Sequence, residues 1–164
     1  MTTIPVSHAA ESQKLVAEDY AELFEVVLSG GQGTIRLWDG PTRTYQGFTY
    51  EGLGCLLQGE ERSADEKESR PTFVVLNPGN VFAPYVLEGY VDNATIIRKR
   101  VLKSHFLNNV NIFKRRIWKV ARIADLDLEG QKIVLELRDP TDGPNFLIPG
   151  RMFIQPDFPT VNLR

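Results

Sequence analysis

The sequence predicts a mainly β protein, an antiparallel barrel or sandwich with one or two short helices and extended terminal arms. Three observations carry that expectation. Two strand-like pairs are joined by glycine-bearing turns, "SGGQG" at 29–33 and Gln46–Gly47. A third pair, "IWKVARIADLDL" and "QKIVLELRDP", flanks Glu129–Gly130 and reads as a long hairpin. The links between such runs are short, with no internal repeat and no low-complexity tract, which suits a layered β architecture.

The elements follow in order. Residues 1–14 begin with "MTTIPVSHAAES", small and polar, and read as an arm that is ordered only against a partner. In "SQKLVAEDYAELFEVVL", Leu15, Val16, Tyr20 and Leu23 stand near helical spacing before "FEVVL" turns strand-like, so a short helix or turn leads into the first strand. "TIRLW" continues as its partner beyond the glycine loop. "RTYQGFTYEGLGCLL" repeats the arrangement, with Tyr50, Leu53, Cys55 and Leu57 in its second strand. Residues 59–70, "GEERSADEKESR", contain no large apolar side chain and form a solvated loop.

"PTFVVLNPGN" is a buried strand stopped by Pro78 and Gly79. "VFAPYVLEGY" gives a short helical turn with Val81, Tyr85 and Leu87 inward. "TIIRKRVLKSHF" is a strand with Ile97, Lys99 and Val101 on one face and Ile96, Arg98, Arg100 and Leu102 on the other. Neither face is cleanly apolar, a pattern that suits a strand covered by a second copy or a neighbouring protein. In the long hairpin that starts at Ile117, Trp118, Val120, Ile123, Ile133, Leu135 and Leu137 are the expected core. The domain ends near 151, and 152–164 is an extended tail whose Pro156 and Pro159 oppose helix.

Charge is segregated. The chain has 19 basic and 21 acidic residues, yet 94–124 holds nine Lys or Arg and no acid, which leaves ten basic against twenty-one acidic elsewhere. Such asymmetry suits self-complementary surfaces at least as well as DNA, whose dedicated binders are more often basic overall. A single cysteine, Cys55, excludes an internal disulfide and a Cys-rich metal site. The opening residues lack the pattern of a signal peptide, and no apolar run nears the roughly 20 residues that span a bilayer. The expected setting is the cytoplasm, or a particle assembled there.

Catalytic groups do not converge. His8 and His105 have no Cys or acidic partner at ligand spacing, and "GGQG" lacks the Lys-Ser or Lys-Thr of a phosphate loop. Cys55 has no nearby base and reads as a small buried hydrophobe, and the acidic run 60–68 lacks calcium-loop spacing. No enzyme activity, metal or cofactor is expected. The basic stretch admits three readings. Arg98, Lys99, Arg100, Lys103, Lys114, Arg115 and Arg116 with Phe106, Phe113 and Trp118 suit a nucleic-acid-binding β-barrel module using 98–122. The same cations suit a solvated edge that resists sheet-to-sheet aggregation. They also suit a docking face in a ring of copies.

Four segments, in order, resemble the phage minor tail protein L family of lambda-type long-tailed phages. "TYQGFTYEGLG" is similar to its Trp-x-Gly-x-x-Tyr hairpin, with Tyr45 in the tryptophan position and Gly47 and Tyr50 matching. "SRPTFVVLNPGNV" resembles its Arg-Pro-Thr strand through Arg70, Pro71, Thr72 and Asn77. "ATIIRKRVLKSHFLNNV" resembles its basic strand, with Ala94 in a glycine position, and "DPTDGPNFLIPGR" its closing turn with Pro149, Gly150 and Arg151. Members usually continue into a Cys-rich segment thought to hold an iron-sulfur cluster, and this sequence has no cysteine after Cys55. The resemblance implies a tail-tube-like β domain over 15–151 and a structural role in the virion, at the tail tip or baseplate hub. It implies a homo-oligomeric ring, a trimer or alternatively a hexamer, between a distal tail protein and a central hub or fibre protein, with DNA passing through ungripped. The interface residues so implied are Arg70, Asn77, Arg98, Lys99, Arg100, Lys103, Arg115, Arg116 and Arg151.

Overall fold

Alternating apolar positions in 20–27 and 34–38 form the first hairpin, β1 (Tyr20–Val27) and β2 (Thr34–Trp38), in a computed structural model describing residues 6–11, 19–59, 70–127, 129 and 131–141. Its loop is the expected glycine turn, with Gly30, Gly31 and Gly33 at positive φ and the Leu28 amide bonded to the Gly33 carbonyl at 3.0 Å. A second hairpin, β3 (Arg43–Tyr45) and β4 (Phe48–Gly52), turns on Gln46 and Gly47 at φ 52° and 79°, the two-residue geometry that matches strand twist. Then come β5 (Cys55–Gln58), β6 (Thr72–Leu76), β7 (Thr95–Leu102), β8 (Lys114–Asp127) and β9 (Lys132–Arg138). Three short α-helices lie among the described residues, α1 (Val6–Glu11), α2 (Ala83–Leu87) and α3 (Lys103–Leu107), with single 3-10 turns at Ser29–Gly31 and Pro78–Asn80.

The strands form one sheet in the order β3-β4-β2-β1-β7-β8-β9-β6-β5. All pairings are antiparallel except β2 with β4, which is parallel through Leu37–Glu51 and Trp38–Gly52. β4 and β5 stand at opposite sides of that order, yet only Leu53 and Gly54 separate them. Three peptide steps span at most roughly 11 Å, so the sheet curls round until its two flanks meet. The core shows the same closure. Phe24 of β1 and Phe73 of β6 are four strands apart in the order, about 19 Å in a flat sheet, and their ring centroids lie 4.7 Å apart. Around them pack Leu37, Ile96, Trp118, Val120 and Leu137.

A second core lies on the outer face of β1 and β7. Tyr45 and Tyr50 from the β3–β4 hairpin and Phe106 from α3 cover Ala21, Leu23 and Val101. The Tyr45 hydroxyl donates to the Val110 carbonyl at 2.7 Å, and the Gln46 amide donates to Asn109 Oδ1 at 2.7 Å, so the loop after α3 pins the hairpin tip. β1 and β7 are thus buried on both faces.

Five sequence expectations need correction. Tyr20 and Leu23 belong to a strand, not to a helical lead. The run "TYEGLGCLL" is two strands, broken at Leu53–Gly54 where the chain passes from one flank of the sheet to the other. α2 forms where expected and packs Tyr85 inward as expected, but Val81 and Leu87, also expected inward, are 64% and 81% exposed. The Phe82 amide is held by Asn77 Oδ1 at 2.9 Å, so Phe82 points into the core and Tyr85 and Val86, three and four positions on, follow it. Residues 103–106 belong to helix α3, not to the continued strand expected; the ladder stops at Leu102 opposite Tyr20, the first residue of β1, and one helical turn carries Phe106 into the second core. β8 begins at Lys114, not Ile117.

The core expected in the long hairpin is otherwise as read: Trp118, Val120, Ile133, Leu135 and Leu137 are buried, and Ile123 packs against them. Of the arm 1–14, residues 6–11 form α1 with His8 buried, while the rest of the arm, together with Leu15 and Val16, most of the acidic loop 59–70 and the tail 152–164, lies outside the described residues. No described helix is long and apolar enough to cross a membrane.

Candidate interaction surface

The basic strand β7 is the middle one of the three central strands β1, β7 and β8, and register decides what its cations meet. Against β8, Arg98 pairs with Arg116, Lys99 with Arg115 and Arg100 with Lys114. Three like-charged pairs sit side by side, an arrangement that is destabilising unless other groups balance it. Against β1, Arg98 faces Phe24, Lys99 faces Leu23 and Arg100 faces Glu22. Since paired residues share a face, Arg98, Arg100, Lys114 and Arg116 lie on the side of the main core, with Lys99 and Arg115 on the other.

The compensation is within the chain. Lys99 reaches across to Glu25 Oε1 at 2.7 Å, and the buried Tyr50 hydroxyl donates to the same oxygen at 2.7 Å. Arg36 Nε stands 3.6 Å from it. Burial alone would raise the Glu25 carboxyl, but hydrogen bonds from Lys99 and Tyr50, with the charges of Lys99 and Arg36, outweigh it and hold the group below the usual carboxylate range. The same contact, after burial, pushes the Tyr50 hydroxyl upward. On the other face Arg100 Nε donates to Glu22 Oε1 at 2.9 Å, and Arg98 lies 3.7 Å from that oxygen.

Aromatic rings hold the remaining charge. Arg98 and Arg116 lie 5.3 and 5.1 Å from the centre of the Trp118 ring, Arg100 lies 5.5 Å from Tyr20, and Lys99 lies 5.2 Å from Phe113. Each such contact contributes about 0.5–1 kcal/mol where exposed and more where desolvated. The mixed faces of β7 were expected to need a neighbour as cover; the cover is this chain's own, the β3–β4 hairpin and α3 on one side and the barrel interior on the other. Arg115 is exposed and has no ion-pair partner among the described residues.

The residues named from sequence divide accordingly. Arg98, Lys99, Arg100, Lys103, Arg115 and Arg116 come together around β7, with Lys103 opposite Asp19 at 3.9 Å. Arg98 is only 6% exposed. Arg70 sits apart beside β9, where it and Arg122 hold Glu136 from both sides, Arg70 at 3.1 Å. Those two hydrogen bonds keep the Glu136 carboxyl below its ordinary range. Asn77 has no exposed surface and shapes the turn before Phe82 from within the fold. Arg151 lies outside the described residues. Trp118 and Phe113, expected beside these cations, do lie against them, while Glu22, Glu25 and Tyr50 complete the cluster without a sequence signal that marks them for it beyond two acids inside the otherwise apolar "AELFEVV".

Cys55 is buried in the core, and burial, then Asp39 and Glu22, pushes its thiol up to about 12. It is a packed hydrophobe without nucleophilic character at neutral pH.

Comparison with solved structures adds a likeness of fold. The fold has a virion counterpart. A chain of a structure described as "Virion of native gene transfer agent (GTA) particle" aligns over 91% of this chain and 49% of its own length, with a TM-score of 0.57 and 16% identity. The present chain thus spans about half the length of that relative, and at this identity the likeness is one of fold. No family model matches the chain, and no curated protein matches it, so the resemblance to the minor tail protein L family has no family-level match behind it.

Proposed function

We propose that this chain is a structural component of a phage-like virion, placed at the tail tip or baseplate hub. There it forms a closed ring, of three copies or alternatively six, that joins the distal tail protein to a central hub or fibre protein. DNA passes through the ring without being bound specifically. The observation that carries the reading is the likeness of fold, over 91% of the chain, to a chain of a virion particle. The charge distribution supports it: cations gathered on the adjacent strands β7 and β8 are largely balanced inside, leaving Arg115 and its exposed surroundings for an acidic neighbour.

The experiment has two arms. Particles purified from the host are analysed for this chain by mass spectrometry and for its copy number per tail; three or six copies are expected, and absence from the particle overturns the proposal. In parallel, Arg115→Glu is expected to leave the fold intact, because that side chain is exposed, while blocking tail assembly. Reversal of Arg98 is the wrong test, since it buries a negative charge beside Glu22. Submicromolar binding of short DNA, weakening with salt at a slope near 0.9 per phosphate contacted, would instead favour a nucleic-acid-binding module.

A further inference from the structure

Helix α1 is six residues long, and isolated helices under roughly 12 residues are marginal in water, so its place depends on what it buries. That is chiefly one side chain. His8 is 4% exposed, while Val6 beside it is 85% exposed. The His8 imidazole rests against Tyr20 of β1 with ring centroids 5.6 Å apart, and against His105 of α3 at 6.4 Å. Lys114 of β8 and Arg100 of β7 act on it electrostatically, and it makes a hydrogen bond with the Ile112 backbone. His8 Nε2 and His105 Nδ1 are both buried with no hydrogen-bond partner.

This environment accepts a neutral imidazole and rejects a charged one. Protonation at Nε2 would create a buried N–H donor with nothing to accept it, among a second histidine, a lysine and an arginine. A metal ion would meet the same repulsion, so the two rings do not form a metal site. We propose that α1 is a proton-released strap: it stays docked while His8 is neutral and leaves when His8 is protonated, uncovering the Arg100–Lys114 end of the cationic ladder. The strap stands on the packing of α1 alone and is independent of the assembly reading above.

The titration runs in the matching direction. Burial first, then His105, Lys114 and Arg100, hold His8 below its ordinary value, and the Ile112 bond only partly opposes them. A base whose pKa is lowered on docking docks best above its free value of about 6.5. Docking is then lost as pH falls below that value and through the lowered one, by up to about tenfold per pH unit.

Hydrogen exchange of the full chain, corrected for intrinsic exchange, tests this between about pH 8 and pH 5, with the amides of β7 and β8 as the internal control for folding. Protection of residues 6–11 is expected at pH 8 and should drop about tenfold or more by pH 5 while β8 stays protected. His8→Phe keeps the ring against Tyr20 and should hold protection across the range. His8→Arg should remove it even at pH 8. The proposal is overturned if the wild-type segment is unprotected at pH 8, if it stays protected at pH 5, or if His8→Phe loses protection in parallel with the wild type.

Discussion

Replacing Glu25 with Gln tests whether the cationic strand is balanced from within. Glu25 is 8% exposed and accepts from Lys99 and Tyr50 at 2.7 Å each, with Arg36 at 3.6 Å. Gln preserves the volume and an acceptor for Tyr50, but it strips Lys99 and Arg36 of their countercharge. Removing one partner of a fully buried pair costs about 3–5 kcal/mol. Here the Lys99 side chain retains 17% exposure, which lets water relax part of that penalty, and a loss of about 2–3 kcal/mol is expected. For a chain of this size that corresponds to a fall in Tm of about 5–10 °C. The pH dependence carries a sign of its own. A carboxyl held below its ordinary value stabilises the fold above the unfolded pKa, and that contribution fades as pH drops through the folded one. The gap between wild type and variant should therefore be full at pH 7 and shrink below about pH 4. Urea denaturation followed by the fluorescence of Trp38 and Trp118 at both pH values reads it directly. A loss under about 0.5 kcal/mol at pH 7, or a gap indifferent to acid, would refute internal compensation.

Gly52→Ala should destabilise by about 1–3 kcal/mol in thermal unfolding, because an added Cβ would lie 2.1 Å from the Gly40 carbonyl oxygen and 2.9 Å from the Thr42 amide nitrogen. Cys55 should resist a disulfide-exchange reagent at pH 8 in the native protein and react at least about a hundredfold faster in urea, given its burial and raised pKa. Tyr45→Phe should lose about 1 kcal/mol through the missing bond to Val110, and exchange of the loop amides at 108–112 should quicken with it. Arg70→Ala should shift stability by less than about 1 kcal/mol in denaturant, since its pair with Glu136 is half open to water.

Local signals were legible where the chain's own neighbours decide the outcome. The Gln46–Gly47 turn, the glycine loop at 29–33 and the long hairpin all rest on interactions within a few residues, and the alternating core of β9 follows from strand period alone. Misreadings occur where distant residues decide. The inward face of α2 is fixed by Asn77 holding Phe82, a bond no periodicity reveals in a helix of five residues. The break at Leu53–Gly54 exists because β4 and β5 serve opposite flanks of the sheet, which depends on the strand order of the whole molecule. The parallel β2–β4 pair is a product of the same closure.

The cationic strand shows why composition misleads about surfaces. Counting along 94–124 finds nine positive charges and no negative one, which suggests a face in want of a partner. The carboxylates that meet it lie far away in sequence, Glu25 being 74 positions from Lys99 and Glu22 being 78 from Arg100. Antiparallel pairing of β1 with β7 places those acids beside the cations, and Trp118, Tyr20 and Phe113 supply ring faces for the rest. Charge segregation along the chain thus becomes charge pairing across the sheet, and the strand needs no second molecule to be stable. What a partner would recognise is the smaller set left over: Arg115 on the outer face, and Lys114, whose charge acts on His8 of α1. An acidic neighbour that docks there would compete with α1, so its affinity should rise as pH falls through the range in which the strap releases. An assembly interface with no such pH dependence would have to use Arg115 and leave Lys114 untouched.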